Sequence, residues 1–109
     1  MTIHLKNFGT VLVSRPAGAE AFRAIRPEIS AGEHTQVDFD GVLTVTPSWL
    51  DEFLTHLADY TEGRVELLPT NNASVLATLP VLGEARDDHV AAIVQTALQR
   101  MKEEQVASA

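Results

Sequence analysis

One stretch, residues 35–60, combines a strand, a tight turn and an amphipathic helix, and it constrains the fold of the chain most strongly. Val37 and Phe39 alternate with Asp38 and Asp40, as expected of a strand with one buried face. The glycine that follows permits a bend, and the apolar spacing then changes to that of a helix. A strand that leads directly into a helix is typical of α/β domains.

The helix predicted over residues 47–60 has a capping residue before it and two different faces. Thr46 offers a side-chain oxygen to the unpaired N–H groups of the first turn, and Pro47, which has no N–H, suits the first helical position. The apolar side chains fall on one face: Trp49, Leu50, Phe53, Leu54, Leu57 and Tyr60. The polar side chains fall on the other: Ser48, Asp51, Glu52, Thr55 and Asp59.

Ser48 lies in the first turn of this helix, on its polar face. A phosphate group on Ser48 would be stabilised there, because unpaired N–H groups and the positive end of the helix dipole meet at a helix start. Serine is also common in first turns for local hydrogen bonding alone, and this is the more frequent role. Asp51 and Glu52 likewise complement the dipole. The residues alone leave a phosphorylation site and a helix-start residue as alternatives.

The residues around this helix resemble a known protein family. Four of them precede the helix: Asp38, Phe39, Gly41 and Val42. Together with the segments 45–48 and 50–53, they resemble the STAS-like α/β domains of unknown function, which are small bacterial proteins related to anti-sigma factor antagonists. The resemblance covers about residues 3–68. It implies a small mixed β-sheet of about four strands, with helices packed mainly on one face.

The resemblance also implies a function. A partner kinase phosphorylates a serine of the antagonists, and Ser48 matches that serine. Three neighbouring positions depart from the antagonist pattern: Thr46 stands in place of an aspartate, Pro47 in place of a serine and Trp49 in place of a glycine. A non-enzymatic regulatory module that docks a protein partner is therefore expected, with an ATPase of the histidine-kinase-like class as the expected partner. The implied docking residues are Thr46, Pro47, Ser48, Asp51, Glu52 and Thr55.

Composition and charge limit the remaining possibilities. A chain of 109 residues is expected to form a single domain over residues 1–109. Fifteen acidic and eight basic residues give a formal net charge of −7, which argues against a nucleic-acid partner and against an anionic membrane surface. The absence of cysteine excludes disulfides and thiolate catalysis. Since no apolar run would span a bilayer or form the core of a signal peptide, a cytoplasmic location is expected.

Before the central stretch, the pattern predicts two strands and a helix. Short alternating runs at residues 3–5 and 11–13 are expected to form a hairpin that turns at Gly9. Ser14 is expected to cap the following helix, which Pro27 should interrupt because its ring clashes with a carbonyl one turn earlier.

After the central stretch, one strand and two helices are expected. The strand is predicted at residues 65–67, and residues 73–79 fit a helix or a strand, with the helix preferred. A loop is predicted at residues 80–83, and the two acids at 87–88 are expected to open the longest helix. Its apolar stripe is Val90, Ile93, Val94, Ala97, Leu98 and Met101. The tail from about residue 104 to 109 is expected to fray.

The sequence predicts no catalytic centre, metal site or cofactor. His4, His34, His56 and His89 fall in different elements, and no two of them have the four-residue spacing of a helical metal site. His56 lies two turns from Ser48, too far for proton transfer between them. Two alternatives to the regulatory module stay open. One is a homo-oligomeric structural module, and the other is a domain that binds a nucleotide or anion near Ser48. For the regulatory module itself, a monomer or weak homodimer is expected.

Overall fold

The computed structural model describes residues 1–85 and 88–108 and has the α/β architecture predicted from the sequence. Within that part of the chain, the strands are β1 (Thr2–His4), β2 (Val11–Leu12), β3 (Thr35–Asp38), β4 (Thr44–Val45) and β5 (Val65–Leu67). The helices are α1 (Arg15–Ile25), α2 (Pro47–Tyr60), α3 (Ala73–Ala85) and α4 (His89–Ser108). Asp87, predicted with Asp88 to open the last helix, lies outside the described residues.

All strand pairs in the described part of the chain are parallel. β3 lies between β1 and β5 in one sheet, and β2 pairs with β4 in another, where a single mixed sheet was expected. The predicted hairpin at Gly9 is wrong. The chain leaves β1 through a 3-10 turn at Leu5–Phe8, and the ring of Phe8 packs at 6.3 Å from that of Trp49 and 5.8 Å from that of Phe53. This packing directs β2 alongside β4 instead of back along β1.

Two segments of the chain pair in parallel twice, first as β1 with β3 and then, after an interruption, as β2 with β4. β1 and β2 follow each other on one side, β3 and β4 on the other, and the register differs by one residue between the two pairings. Gly41 lies in the interruption with a φ of 86°, a conformation that favours glycine. A Cβ at this position would lie 2.9 Å from Cδ of Lys6, so the two interrupted segments approach closely here.

The core lies between the helices and one face of the three-stranded sheet. Ile3, Val37 and Leu67 are buried on that face, whereas Gln36 and Glu66, which alternate with them, are partly exposed. The predicted apolar face of α2 is confirmed. Five of its residues are buried, namely Trp49, Leu50, Phe53, Leu54 and Leu57, and Tyr60 is half-buried.

The start and end of α1 are confirmed. Oγ of Ser14 accepts the N–H of Ala17 at 3.4 Å, and the α-helix ends at Ile25, before a short 3-10 turn that contains Pro27. A proline ring cannot be accommodated in a continuing α-helix without displacing the preceding turn.

α3 begins where predicted and ends later. Asn72 caps it, since Oδ1 of Asn72 accepts the N–H of Val75 at 3.1 Å. The loop predicted at residues 80–83 is wrong, because the helix continues through Pro80. A proline inside a helix costs roughly 3 kcal/mol relative to alanine. The burial of Val75, Leu79 and Leu82 along the same helix offsets that cost.

α4 is capped by Asp88, whose Oδ1 accepts the N–H groups of Val90 at 3.1 Å and Ala91 at 3.3 Å. Its predicted apolar stripe is buried, apart from the partly buried Leu98. The helix continues to Ser108, through most of the segment that was expected to fray.

Candidate functional site

The first turn of α2 places two hydroxyl groups side by side. Thr46 accepts the N–H of Trp49 at 3.5 Å through its Oγ1, and this atom lies 3.3 Å from Oγ of Ser48. Pro47 is exposed between them, and Ser48 is half-buried. The structure therefore brings together the hydroxyl groups of the predicted site where the unpaired N–H groups of the helix also converge.

Trp49 follows Ser48 in sequence but does not share its face of the helix. Its side chain is buried, and the indole stacks on the ring of Phe53 with centroids 5.1 Å apart. The indole of Trp49 thus belongs to the core and does not cover the polar face of α2 beside Ser48.

Arg15 of α1 connects to both acids that follow Ser48. Its Nη1 donates to Oδ2 of Asp51 at 2.8 Å and to Oε2 of Glu52 at 3.0 Å. The bonds to Asp51 and then Glu52 raise the pKa of the Arg15 guanidinium, and the bond from Arg15 is the main cause that lowers the pKa of Glu52. The acidic charges one turn after Ser48 are therefore compensated by a cation from the neighbouring helix.

The polar face continues along α2 from Glu52. Its Oε1 lies 3.0 Å from Nε2 of His56, four residues later in the same helix, and this contact also lowers the pKa of Glu52. The imidazole of His56 stacks on the ring of Phe22 in α1 at 5.5 Å. Thr55 is half-buried on the same helix. The contacts of Glu52 and His56 fix the orientation of these two side chains in the middle of α2.

The motif residues before the helix have structural roles. Phe39 and Val42 are buried in the core. Oδ1 of Asp38 accepts the N–H of Asp40 at 3.0 Å, and its Oδ2 lies 2.9 Å from Nδ1 of His4. The bond from Asp40, followed by that from His4, lowers the pKa of Asp38. These residues, with Gly41, shape the turn that leads into β4 and α2.

Sequence reasoning missed a groove between β5 and α4. It has a volume of about 400 Å³ and includes His34, Glu66, His89 and Arg100 in its lining. Arg100 is ion-paired with Glu66, which also accepts a hydrogen bond from Nε2 of Gln36 at 3.1 Å. The histidines lie 55 residues apart in the chain, so no local motif signalled the groove.

The described residues form neither a metal-binding cluster nor a membrane-spanning helix. Across residues 1–85 and 88–108, no three His, Cys, Asp or Glu side chains are grouped so that they could hold a metal ion. Within the same part of the chain, no helix combines the length and apolar character required to cross a membrane. Comparison of the chain with protein-family models, curated proteins and solved structures found no match.

Proposed function

We propose that this protein is a non-enzymatic regulatory module that binds a protein partner through the polar face of α2 and is switched by phosphorylation of Ser48. The binding surface, called here the α2 surface, consists of Thr46, Pro47, Ser48, Asp51, Glu52 and Thr55. The observation that carries the proposal is the hydroxyl pair of Thr46 and Ser48 in the first turn of a helix whose opposite face is fixed in the core. The resemblance to STAS-like domains adds the class of partner, a histidine-kinase-like ATPase.

Burial of the opposite face supports the proposal because it makes the α2 surface rigid. Trp49, Leu50 and Phe53 are almost completely buried, and Arg15 ties Asp51 and Glu52 to α1. A partner that docks on side chains already held in place loses less conformational entropy on binding.

Phosphorylation would transfer the γ-phosphoryl group of ATP to Oγ of Ser48, with release of ADP and of the hydroxyl proton. The product carries a charge of roughly −1.5 to −2 at neutral pH. The helix N-terminus attracts this charge, and Arg15 compensates the two acids that would otherwise repel it. The modified helix is thus stable, while the α2 surface becomes more negative. A change of about 1 kcal/mol in docking free energy, several-fold in affinity, would follow.

Capture experiments with three variants test this proposal. Tagged wild-type protein, Ser48→Asp and Ser48→Ala are used to capture partners from a lysate of the source cells, and Ser30→Asp is the matched control at an exposed serine in a loop. Ser48→Asp is expected to reduce capture of an ATPase several-fold, whereas Ser48→Ala and Ser30→Asp retain it. Equal capture by Ser48→Asp and wild type would contradict a switch at Ser48.

The groove between β5 and α4 favours one second candidate function, the binding of a small anion. His34, His89 and Arg100 line a cavity of about 400 Å³, and a bound anion would replace the carboxylate of Glu66 as the partner of Arg100. Phosphate and nucleotides are expected to raise the melting temperature of wild-type protein and not of Arg100→Gln, if this function is correct. The lack of any stabilising anion in such a screen would contradict it.

A further inference from the structure

The outer edge of β2 has free backbone hydrogen-bonding groups. Three backbone bonds of 2.8 to 3.1 Å join its other edge to the segment of β4: Leu43 and Thr44 donate to Thr10, and Thr46 donates to Leu12. In a parallel pair, alternate residues direct their N–H and C=O groups to opposite sides of the strand. The N–H and C=O groups of Val11 and Val13 therefore point away from β4. No hydrogen bond joins these groups to a residue that the structure describes.

The corresponding outer edge of β4 is closed by α3. The N–H of Val45 donates to Oγ of Ser74 at 3.0 Å. The carbonyl of Val45 accepts the hydroxyl groups of Ser74 at 3.1 Å and Thr78 at 3.2 Å. Because side chains occupy the edge of β4, further strand pairing in this two-stranded sheet is possible only at β2.

The open edge of β2 carries exposed apolar side chains beside a groove. Val11 is 58% exposed and Val13 is 45% exposed. The groove, about 270 Å³ in volume, lies between β2 and α1. Besides the residues of β2 and Val13, its apolar lining consists of Phe8, Ala17, Ala21, Ala24 and Trp49. Its single charged lining residue, among those described, is Glu20.

We propose that an extended segment of a partner protein, with alternating apolar and basic side chains, binds in this groove and adds a strand to β2. Main-chain bonds to Val11 and Val13 would supply the pairing, as in other cases where a peptide extends a sheet. Apolar side chains on one face of the segment would enter the groove, and the basic ones would be attracted by Glu20 and by the net charge of −7.

A second copy of this chain is a less suitable occupant of the groove. Both copies carry the net charge of −7, and two-fold pairing of β2 strands would bring a second Glu20 to the same interface. Like charges across an interface oppose association. A basic partner segment has the charge complementarity that a second copy lacks.

Synthetic peptides of about ten residues provide the test, with amide hydrogen exchange measured by NMR as the readout. The probe alternates lysine and valine. One control peptide alternates lysine and serine, which keeps the charge and removes the apolar side chains, and another alternates glutamate and valine. The lysine–valine peptide is expected to slow exchange of the Val11 and Val13 amides at least about tenfold, with little effect from either control.

Variants of the protein separate strand addition from general attraction to an acidic surface. Val11→Lys is expected to weaken binding of the lysine–valine peptide at least about tenfold, whereas Val81→Lys, at a residue of α3 that is 50% exposed, retains it. Glu20→Lys should weaken binding of the lysine–valine peptide, because it replaces the acidic lining residue of the groove by a basic one.

Three results would overturn this proposal. The first is no protection of the Val11 and Val13 amides by the lysine–valine peptide. The second is protection by the lysine–serine peptide equal to that by the lysine–valine peptide, or a loss of binding in Val81→Lys equal to that in Val11→Lys. The third is protection that rises with protein concentration in the absence of peptide, which would assign the edge to a second copy of the chain.

Discussion

Gly18 of α1 lies directly against the backbone of α2, since a Cβ at this position would be 2.4 Å from the carbonyl oxygen of Trp49 and 3.3 Å from Cβ of Glu52. Arg15 precedes Gly18 by three residues and therefore shares its side of α1. The close approach of the two helices is what allows the guanidinium of Arg15 to reach both Asp51 and Glu52. The arrangement of the α2 surface thus depends on a glycine contact in the helix interface.

Replacement of Gly18 by alanine is expected to destabilise the protein. In an unpacked helix the change would gain about 1 kcal/mol from helix propensity. Here the added methyl group must displace the backbone of Trp49, and such overpacking costs typically about 1–3 kcal/mol. Urea unfolding should therefore show a lower midpoint for Gly18→Ala. Ala24→Ser, at an exposed position of α1, is the control, and a higher midpoint for Gly18→Ala would contradict the close approach.

Removal of the Arg15 guanidinium should have a small effect that depends on salt. Its side chain is 52% exposed, so solvent screens its pairs with Asp51 and Glu52. Arg15→Met is expected to lower the free energy of unfolding only slightly at low salt, and by less still at high salt. Arg23→Met, at another exposed residue of α1, should show a weaker salt dependence. Equal salt dependence of the two variants would argue against the bridge.

Acid should weaken the fold through Asp38. The N–H of Asp40, followed by His4, stabilises the charged carboxylate and lowers its pKa. The unfolded chain therefore takes up this proton at a higher pH than the folded chain does, and stability is lost as the pH falls from about 4 through the lowered pKa.

Asp38→Asn removes the titrating carboxyl group and should make the free energy of unfolding less dependent on pH below about pH 4. Urea titrations at several pH values measure the slope, and Asp59→Asn at an exposed position of α2 is the control. A slope in Asp38→Asn as steep as that of wild type would show that Asp38 is not responsible.

The hydroxyl groups of α3 that close the edge of β4 should differ in importance. Ser74→Ala removes the acceptor for the N–H of Val45, and an unsatisfied, partly buried donor costs about 1–3 kcal/mol. Thr78→Val keeps the side-chain shape and leaves the carbonyl of Val45 bonded to Ser74, so a smaller loss is expected. Thermal or urea unfolding of both variants gives the comparison. A larger loss in Thr78→Val would contradict this order.

Features set by local sequence were predicted correctly. Periodicity identified both faces of α2, and the side chains of Ser14 and Thr46 cap the helices expected to follow them. Pro27 ends α1 because its ring clashes with the preceding turn, whatever the surrounding fold. Capping and periodicity act over one or two helical turns, and the chain alone therefore reveals them.

Features set by tertiary packing were missed. Gly9 predicted a hairpin, but Phe8 is held by aromatic rings of α2, and this long-range contact decides the partner of β2. Pro80 predicted the end of a helix, whereas buried leucines on both sides of it keep α3 continuous. At the candidate site, the sequence predicted the position of Ser48 in the first turn of α2. The hydrogen bonds from Arg15 to Asp51 and Glu52 were not predicted, because α1 and α2 meet only in the folded chain.

Intact-mass analysis of the protein, after incubation with a lysate of its source cells with and without ATP, tests the central claim most directly. A mass increase of one phosphate that requires ATP, localised to Ser48 by peptide mapping and absent in Ser48→Ala, is the result that the α2 surface predicts. An unmodified mass in the presence of ATP, or a phosphate on another residue that persists in Ser48→Ala, would contradict the proposal that Ser48 is the switch.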